Sequence, residues 1–242
     1  MKKLVMFLIV MFFATGAYAL PMNDREGTLD PGDGDGSELS VQQILDNLTG
    51  GVIDAVGDQS NVALWNPSEG DAAAYKITYF TGATGSFGLY SAATHEKVEL
   101  FSKESSTPIS PDALQYSTFL ILDDGGLLTG GSIYEGFGST FGFYWNNGYT
   151  EDDMNTDGEI MSLVYNVPAG TSLDMPSPLP DTVSGAGDDW VLAFGDQGSF
   201  NGDDFNDLVV YVEDIAPVPE PATLLLLGSG LVGLAFLKRR KS

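Results

Sequence analysis

Nine short runs rich in aromatic and β-branched residues, parted by Gly, Asp, Asn and Pro, occupy most of the chain between residues 61 and 215. They are NVALW (61–65), AYKITYFT (74–81), SFGLYSA (86–92), KVELFS (97–102), STFLILD (117–123), FGFYWNN (141–147), EIMSLVYNV (159–167), DWVLAFGD (189–196) and DLVVYVEDI (207–215). Runs of this length, bounded by turn formers and without helical patterns between them, read as strands. In one of them Tyr75, Ile77 and Tyr79 alternate with Lys76 and Thr78, the period-two pattern of a half-buried strand. The spacing predicts an all-β, antiparallel, jelly-roll-like β-sandwich without internal repeats over residues 37–216.

One segment breaks this pattern. Ser40 is an N-cap with Gln43 three residues on, Leu39 and Ile44 stand at the positions of a hydrophobic staple, and Val41, Ile44, Leu45 and Leu48 form a helical stripe. Gly50 and Gly51 end the helix. Its single apolar face is expected to cover an edge or an end of a sheet. The preceding residues 20–36 (LPMNDREGTLDPGDGDG) carry few apolar side chains and are expected to form a flexible acidic leader. DPGDGDG lacks any register with the alternating acids, sixth Gly and twelfth Glu of an EF-hand.

Charge is divided unevenly. All 34 acidic residues lie between Asp24 and Glu220, against four basic ones there (Arg25, Lys76, Lys97 and Lys103), a formal charge of −30 for that stretch. With no basic surface to neutralise phosphates, nucleic acid is excluded as a partner and anionic lipid is a poor one. Cations are natural partners. The chain has no cysteine, which removes disulfides, thiol catalysis and thiolate metal sites.

Several acids cluster in turns. Phe194-Gly195-Asp196 leads into a loop, and Asn201-Gly202-Asp203-Asp204-Phe205-Asn206-Asp207 leads into a strand of valines. Hard cations take six to eight oxygens at a flexible turn, and carboxylates, amides and backbone carbonyls supply them together. Asp196, Asp203, Asp204, Asn206 and Asp207 are therefore candidate Ca²⁺ ligands. The competing account is structural: Asp and Asn bond their own backbone in turns, and Gly202 supplies a positive φ. Glu151, Asp152, Asp153, Asn155 and Asp157 form a second acidic turn, read as a solvated loop or a neighbouring cation site. Together these two segments, over Thr140–Ile215, resemble the bacterial domain-of-unknown-function family 4114. The sharpest part is Gly202-Asp203-Asp204-Phe205-Asn206-Asp207 followed by Leu208-Val209-Val210; Gly195 stands where family members commonly carry a Glu. The resemblance implies a secreted β domain and no established activity.

Catalytic motifs are scarce. His95 is the single histidine and is expected in a hairpin turn; no nucleophile elbow, phosphate loop or zinc helix is present. The chain is accordingly read as non-enzymatic. Tyr79, Phe80, Tyr90, Phe141, Phe143, Tyr144, Trp145 and Tyr149 are expected to fill the core, with stacking on sugar rings at an exposed face as the alternative.

The two ends carry the remaining basic residues. Lys2 and Lys3 precede an apolar run from Leu4 to Phe13 and small residues at Ala17 and Ala19, so residues 1–19 read as a signal peptide cut by signal peptidase after passage through the secretion machinery. At the other end Ala222–Leu237 is uncharged and is followed by Lys238, Arg239, Arg240 and Lys241. As a helix it spans about 24 Å, enough for a transmembrane segment if the basic side chains snorkel, with the preceding body on the outer side. Pro217–Pro221 is expected to be an extended spacer.

Pro219-Glu220-Pro221, the apolar run and the basic cluster together resemble the PEP-CTERM sorting signal of Gram-negative bacteria, over 217–242. The resemblance implies that an exosortase recognises the tail and cuts near Pro-Glu-Pro after export through the inner membrane. The expected role is a secreted cell-surface or matrix protein, stabilised by calcium and contributing to envelope or biofilm structure. The alternatives are an exopolysaccharide-binding module and, third, a glycoside hydrolase built on a carboxylate pair.

Overall fold

The computed structural model describes residues 38–68, 70–79, 85–103, 115–175, 183–195 and 205–218. The expected signal peptide (1–19), the expected acidic leader (20–36) and the C-terminal run 222–237 lie outside them. Among the described residues, the helix α1 (Val41–Thr49) precedes fifteen strands: β1 (Trp65–Pro67), β2 (Ala72–Tyr79), β3 (Gly85–Ser91), β4 (Lys97–Lys103), β5 (Tyr116–Ile121), β6 (Leu127–Thr129), β7 (Ser132–Tyr134), β8 (Phe141–Trp145), β9 (Gly148–Tyr149), β10 (Ser162–Val167), β11 (Ser172–Leu173), β12 (Val183–Ser184), β13 (Asp189–Phe194), β14 (Leu208–Glu213) and β15 (Ile215–Pro217).

The α1 boundaries follow from its caps. Ser40 Oγ accepts from Gln43 N and Gln43 Oε1 accepts from Ser40 N, the reciprocal pair that satisfies two otherwise orphaned donors. Gly50 ends the helix at φ 67°, a left-handed conformation that glycine adopts without a Cβ penalty. Leu39, expected to staple the entry, is instead exposed at 37 %.

Every strand pairing is antiparallel. One sheet runs β15-β1-β8-β3-β4 with β9 beside β8, a second runs β10-β13-β14-β2-β5-β6-β7, and β11 and β12 form a small two-stranded sheet. The two large sheets share one apolar core. Trp65, Phe87, Phe141, Phe143 and Trp145 from the first meet Phe119, Trp190, Leu192, Phe194 and Val210 from the second. The rings interlock edge to face, with Trp65 5.3 Å from Phe143 and 5.8 Å from Trp190. Tyr90, Phe141, Phe143, Tyr144 and Trp145 are buried, the core role expected of them.

A second apolar layer lies on the far side of the seven-stranded sheet. Val41, Ile44, Leu45 and Leu48 of α1 pack on Leu163, Tyr165, Val191, Ala193, Val209 and Tyr211. The helix thus covers one face of β10, β13 and β14, the three strands at one end of the seven-stranded sheet. The reason is visible in β13, all six of whose residues are buried. A strand covered on both faces reads as a continuous apolar run, and WVLAF (190–194) is one. The same doubling reverses the alternation in β2: Lys76 is 4 % exposed on the side of Ala72 and Ala74, while Tyr75 and Ile77 are half-buried against the α1 layer.

The C-terminal strand closes the first sheet. Ile215, Ala216 and Pro217 pair with Pro67, Asn66 and Trp65, and Val218 N donates to Leu64 O at 3.0 Å. The expected spacer therefore begins beyond Val218, where the compact unit that holds the described residues also ends.

Candidate functional site

The first acidic turn is described only at its exit. Phe205 sits at φ 24° with its ring in the α1 layer, Asn206 is fully buried, and Asp207 is 9 % exposed. Asn206 Nδ2 donates to Leu39 O at 2.8 Å, tying the strand entry to the residue before the N-cap of α1. Its Oδ1 is sealed and has no hydrogen-bond partner among the described residues. An orphaned buried acceptor costs about 1–3 kcal/mol. An amide oxygen in that condition is also the kind of ligand a hard cation takes. Asp196, Asp203 and Asp204 lie outside the described residues, and among the described residues no three His, Cys, Asp or Glu side chains are grouped to hold a metal ion.

The second acidic turn is consumed by its own backbone. It forms two short 3-10 turns, Asp152–Met154 and Thr156–Gly158. Asn155 Oδ1 accepts from Tyr149 N at 2.7 Å, and Nδ2 donates to the carbonyls of Tyr149 and Glu159. Glu151 turns inward and accepts from the Tyr90 hydroxyl at 2.8 Å. Burial pushes its carboxyl above the usual range, against the pull of Tyr90 and of His95. His95 lies in the β3–β4 turn at φ 59°, its N–H on Ser91 O.

A third grouping was not singled out by sequence reasoning. Tyr75 is the direct cross-strand neighbour of both Tyr116 and Tyr211. The Tyr75 and Tyr116 rings lie 5.9 Å apart and 17° from parallel, and Tyr116 is 58 % exposed. Tyr75 donates its hydroxyl to Glu213 Oε1 at 2.8 Å. Glu213 is raised by burial and by the negative charges of Asp214 and Asp189, with the Tyr75 bond opposing. Two signals in the sequence pointed this way: Tyr75 in an alternating strand, and Tyr116 opening another.

The tail supplies the decisive observation. Pro217 is still paired in the sheet, and Val218 is the last residue fixed to it. Residues 217–241 match the PEP-CTERM protein-sorting motif. That motif implies export in a Gram-negative bacterium, a membrane-anchored C-terminal sorting signal and an exosortase as processing partner. Pro219, Glu220, Pro221, Lys238, Arg239, Arg240 and Lys241 fall within the matched stretch and outside the described residues. The matched stretch does not include Thr140–Ile215. Among the described residues no helix is long and apolar enough to cross a membrane. No curated protein matches the chain.

Proposed function

We propose that the chain is a non-catalytic, exosortase-sorted surface or extracellular-matrix protein whose β body binds calcium and contributes to envelope or biofilm structure. The PEP-CTERM match carries the sorting. On this reading 222–237 is a transmembrane helix that holds the precursor until the cut near Pro219-Glu220-Pro221. The body is a jelly-roll-like β-sandwich, supported by the core that the two antiparallel sheets share. The resemblance of Thr140–Ile215 to the domain-of-unknown-function family 4114 agrees with a secreted β domain.

For calcium the supporting observation is Asn206 Oδ1, buried and without a donor among the described residues, at the exit of an Asp-rich stretch. A bound ion that prefers the folded state stabilises it by mass action. Calorimetry of the purified protein with millimolar Ca²⁺ and then with EDTA tests this. Calcium binding raises the melting temperature with Ca²⁺ and EDTA reverses it; identical curves remove calcium from the account.

A second reading, a polysaccharide-binding module, is favoured by the exposed Tyr116 ring stacked on Tyr75. Tyrosines offer large amphipathic surfaces at low entropic cost. A glycan array of neutral, anionic and cationic oligosaccharides checks it, and silence across all three classes counts against it.

A further inference from the structure

The outer face of the seven-stranded sheet is covered unequally. α1 lies over β10, β13 and β14. Beyond it the same face continues onto β2, β5, β6 and β7, where Tyr116 is 58 % and Ile133 60 % exposed. Tyr75, Ile77, Leu120 and Leu128 are half-buried there. Among the described residues of this strip, Tyr116 and Ile133 are the large apolar side chains more than a third exposed. The strip suits a narrow ligand.

Across it runs a ladder of tyrosines. Tyr211, Tyr75 and Tyr116 are successive cross-strand neighbours on β14, β2 and β5, and the Tyr75 ring centroid is 5.9 Å from each of the others. The ladder is bordered by acids. Glu213 holds the Tyr75 hydroxyl, and Asp189 stands one step past the Trp190–Val212 pair, beside Glu213. Tyr211 is 1 % exposed, and Asp189 and Glu213 are the carboxylates that act on its hydroxyl. The charges acting on Glu213 are Asp214 and Asp189, both negative. The end of the ladder is thus rich in acceptors and negative charge.

We propose that the exposed end of this tyrosine ladder binds a cationic amino-sugar polysaccharide, the pyranose ring lying on Tyr116, with Tyr75 behind it, and a sugar ammonium facing Glu213, the half-buried acid beside the buried Asp189. The proposal rests on the polysaccharide-binding reading above and names the sugar chemistry. The apolar face of a pyranose matches a tyrosine ring, and Tyr75 is held in place by its bond to Glu213. Charge complementarity selects among polymers: the stretch from Asp24 to Glu220, at −30, repels uronic or sulfated chains and attracts protonated amines.

The test is titration calorimetry on the full chain in a neutral detergent, with glucosamine hexamer, N-acetylglucosamine hexamer and cellohexaose. The glucosamine hexamer binds the native protein, and Tyr116→Ala, which leaves the net charge unchanged at an exposed position, weakens it at least tenfold. Glu213→Gln keeps an acceptor for Tyr75 and lowers the preference for glucosamine over its N-acetylated form. Equal binding by the native protein and Tyr116→Ala would mean diffuse attraction to an acidic body and would overturn the site. If the N-acetylated or neutral hexamer binds as tightly through Tyr116, the cationic specificity is overturned while polysaccharide binding stands. Binding of none overturns both.

Discussion

Asn206 and Leu39, 167 positions apart, are joined by a 2.8 Å hydrogen bond from the Asn206 amide to the Leu39 carbonyl. The bond latches the start of α1 to the strand that follows the Asp-rich turn, so helix docking and the turn are mechanically linked. Asn206→Ala removes the latch and leaves the Leu39 carbonyl needing another donor. A loss of about 1–3 kcal/mol in urea unfolding is expected. If Ca²⁺ binds at Oδ1, the variant also loses its melting-temperature response to the ion.

The body is complete at Val218. Ile215 is fully buried and its carbonyl accepts from Trp190 Nε1 at 3.0 Å, so the last strand is fastened through both core and backbone. Ending the chain after Val218 is expected to leave the unfolding midpoint unchanged. Ending it after Asp214 deletes one buried Ile, worth about 1.5–3 kcal/mol, and the Trp190 bond, worth about 1 kcal/mol. Urea melts of the two truncations, compared with the full chain in detergent, measure the difference.

Glu213 and Glu151 are both raised from the ordinary carboxylate range, first of all by burial. A carboxyl whose folded pKa exceeds its unfolded one binds protons more readily when folded, so its contribution is complete below the unfolded pKa and is lost as pH rises through the folded one. Glu213→Gln is therefore expected to be more stable than the native protein at pH 7, with the advantage shrinking as pH falls towards the ordinary glutamate pKa. Thermal melts of both proteins across that range check the sign; an advantage that grows on acidification would contradict it.

Gly88 sits where β3 shifts register against β4, and a Cβ there would run into the Val98 carbonyl. Backbone cannot step aside as a flexible side chain can. Gly88→Ala is expected to cost about 1–3 kcal/mol, the range for overpacking, whereas Gly130→Ala meets open space and suffers only its positive φ of 57°. Denaturation of the two variants side by side separates the steric cost from the conformational one.

The strands and the helix caps were legible because their signals are local: Ser40 and Gln43 bond each other, and runs such as DWVLAF need no partner to be recognised. The shortest strands were not, since Leu127–Thr129, Ser132–Tyr134 and Ser172–Leu173 owe their conformation to the neighbours they pair with. Sidedness failed for a related reason. Lys76 and Tyr75 point opposite to a simple inside–outside rule because α1 supplies a second apolar layer, a long-range fact absent from the local pattern. Likewise Tyr75, Tyr116, Tyr211 and Glu213 become one grouping only through strand register. The sorting motif over 217–241 was legible because its signal is a linear order of residues.

The most direct measurement of the central claim is mass spectrometry of the mature C-terminus recovered from the native host. An exosortase substrate ends near Pro219-Glu220-Pro221, without the apolar run and KRRKS, and is found outside the inner membrane. A chain that keeps Ser242 and stays in the inner membrane would contradict the account.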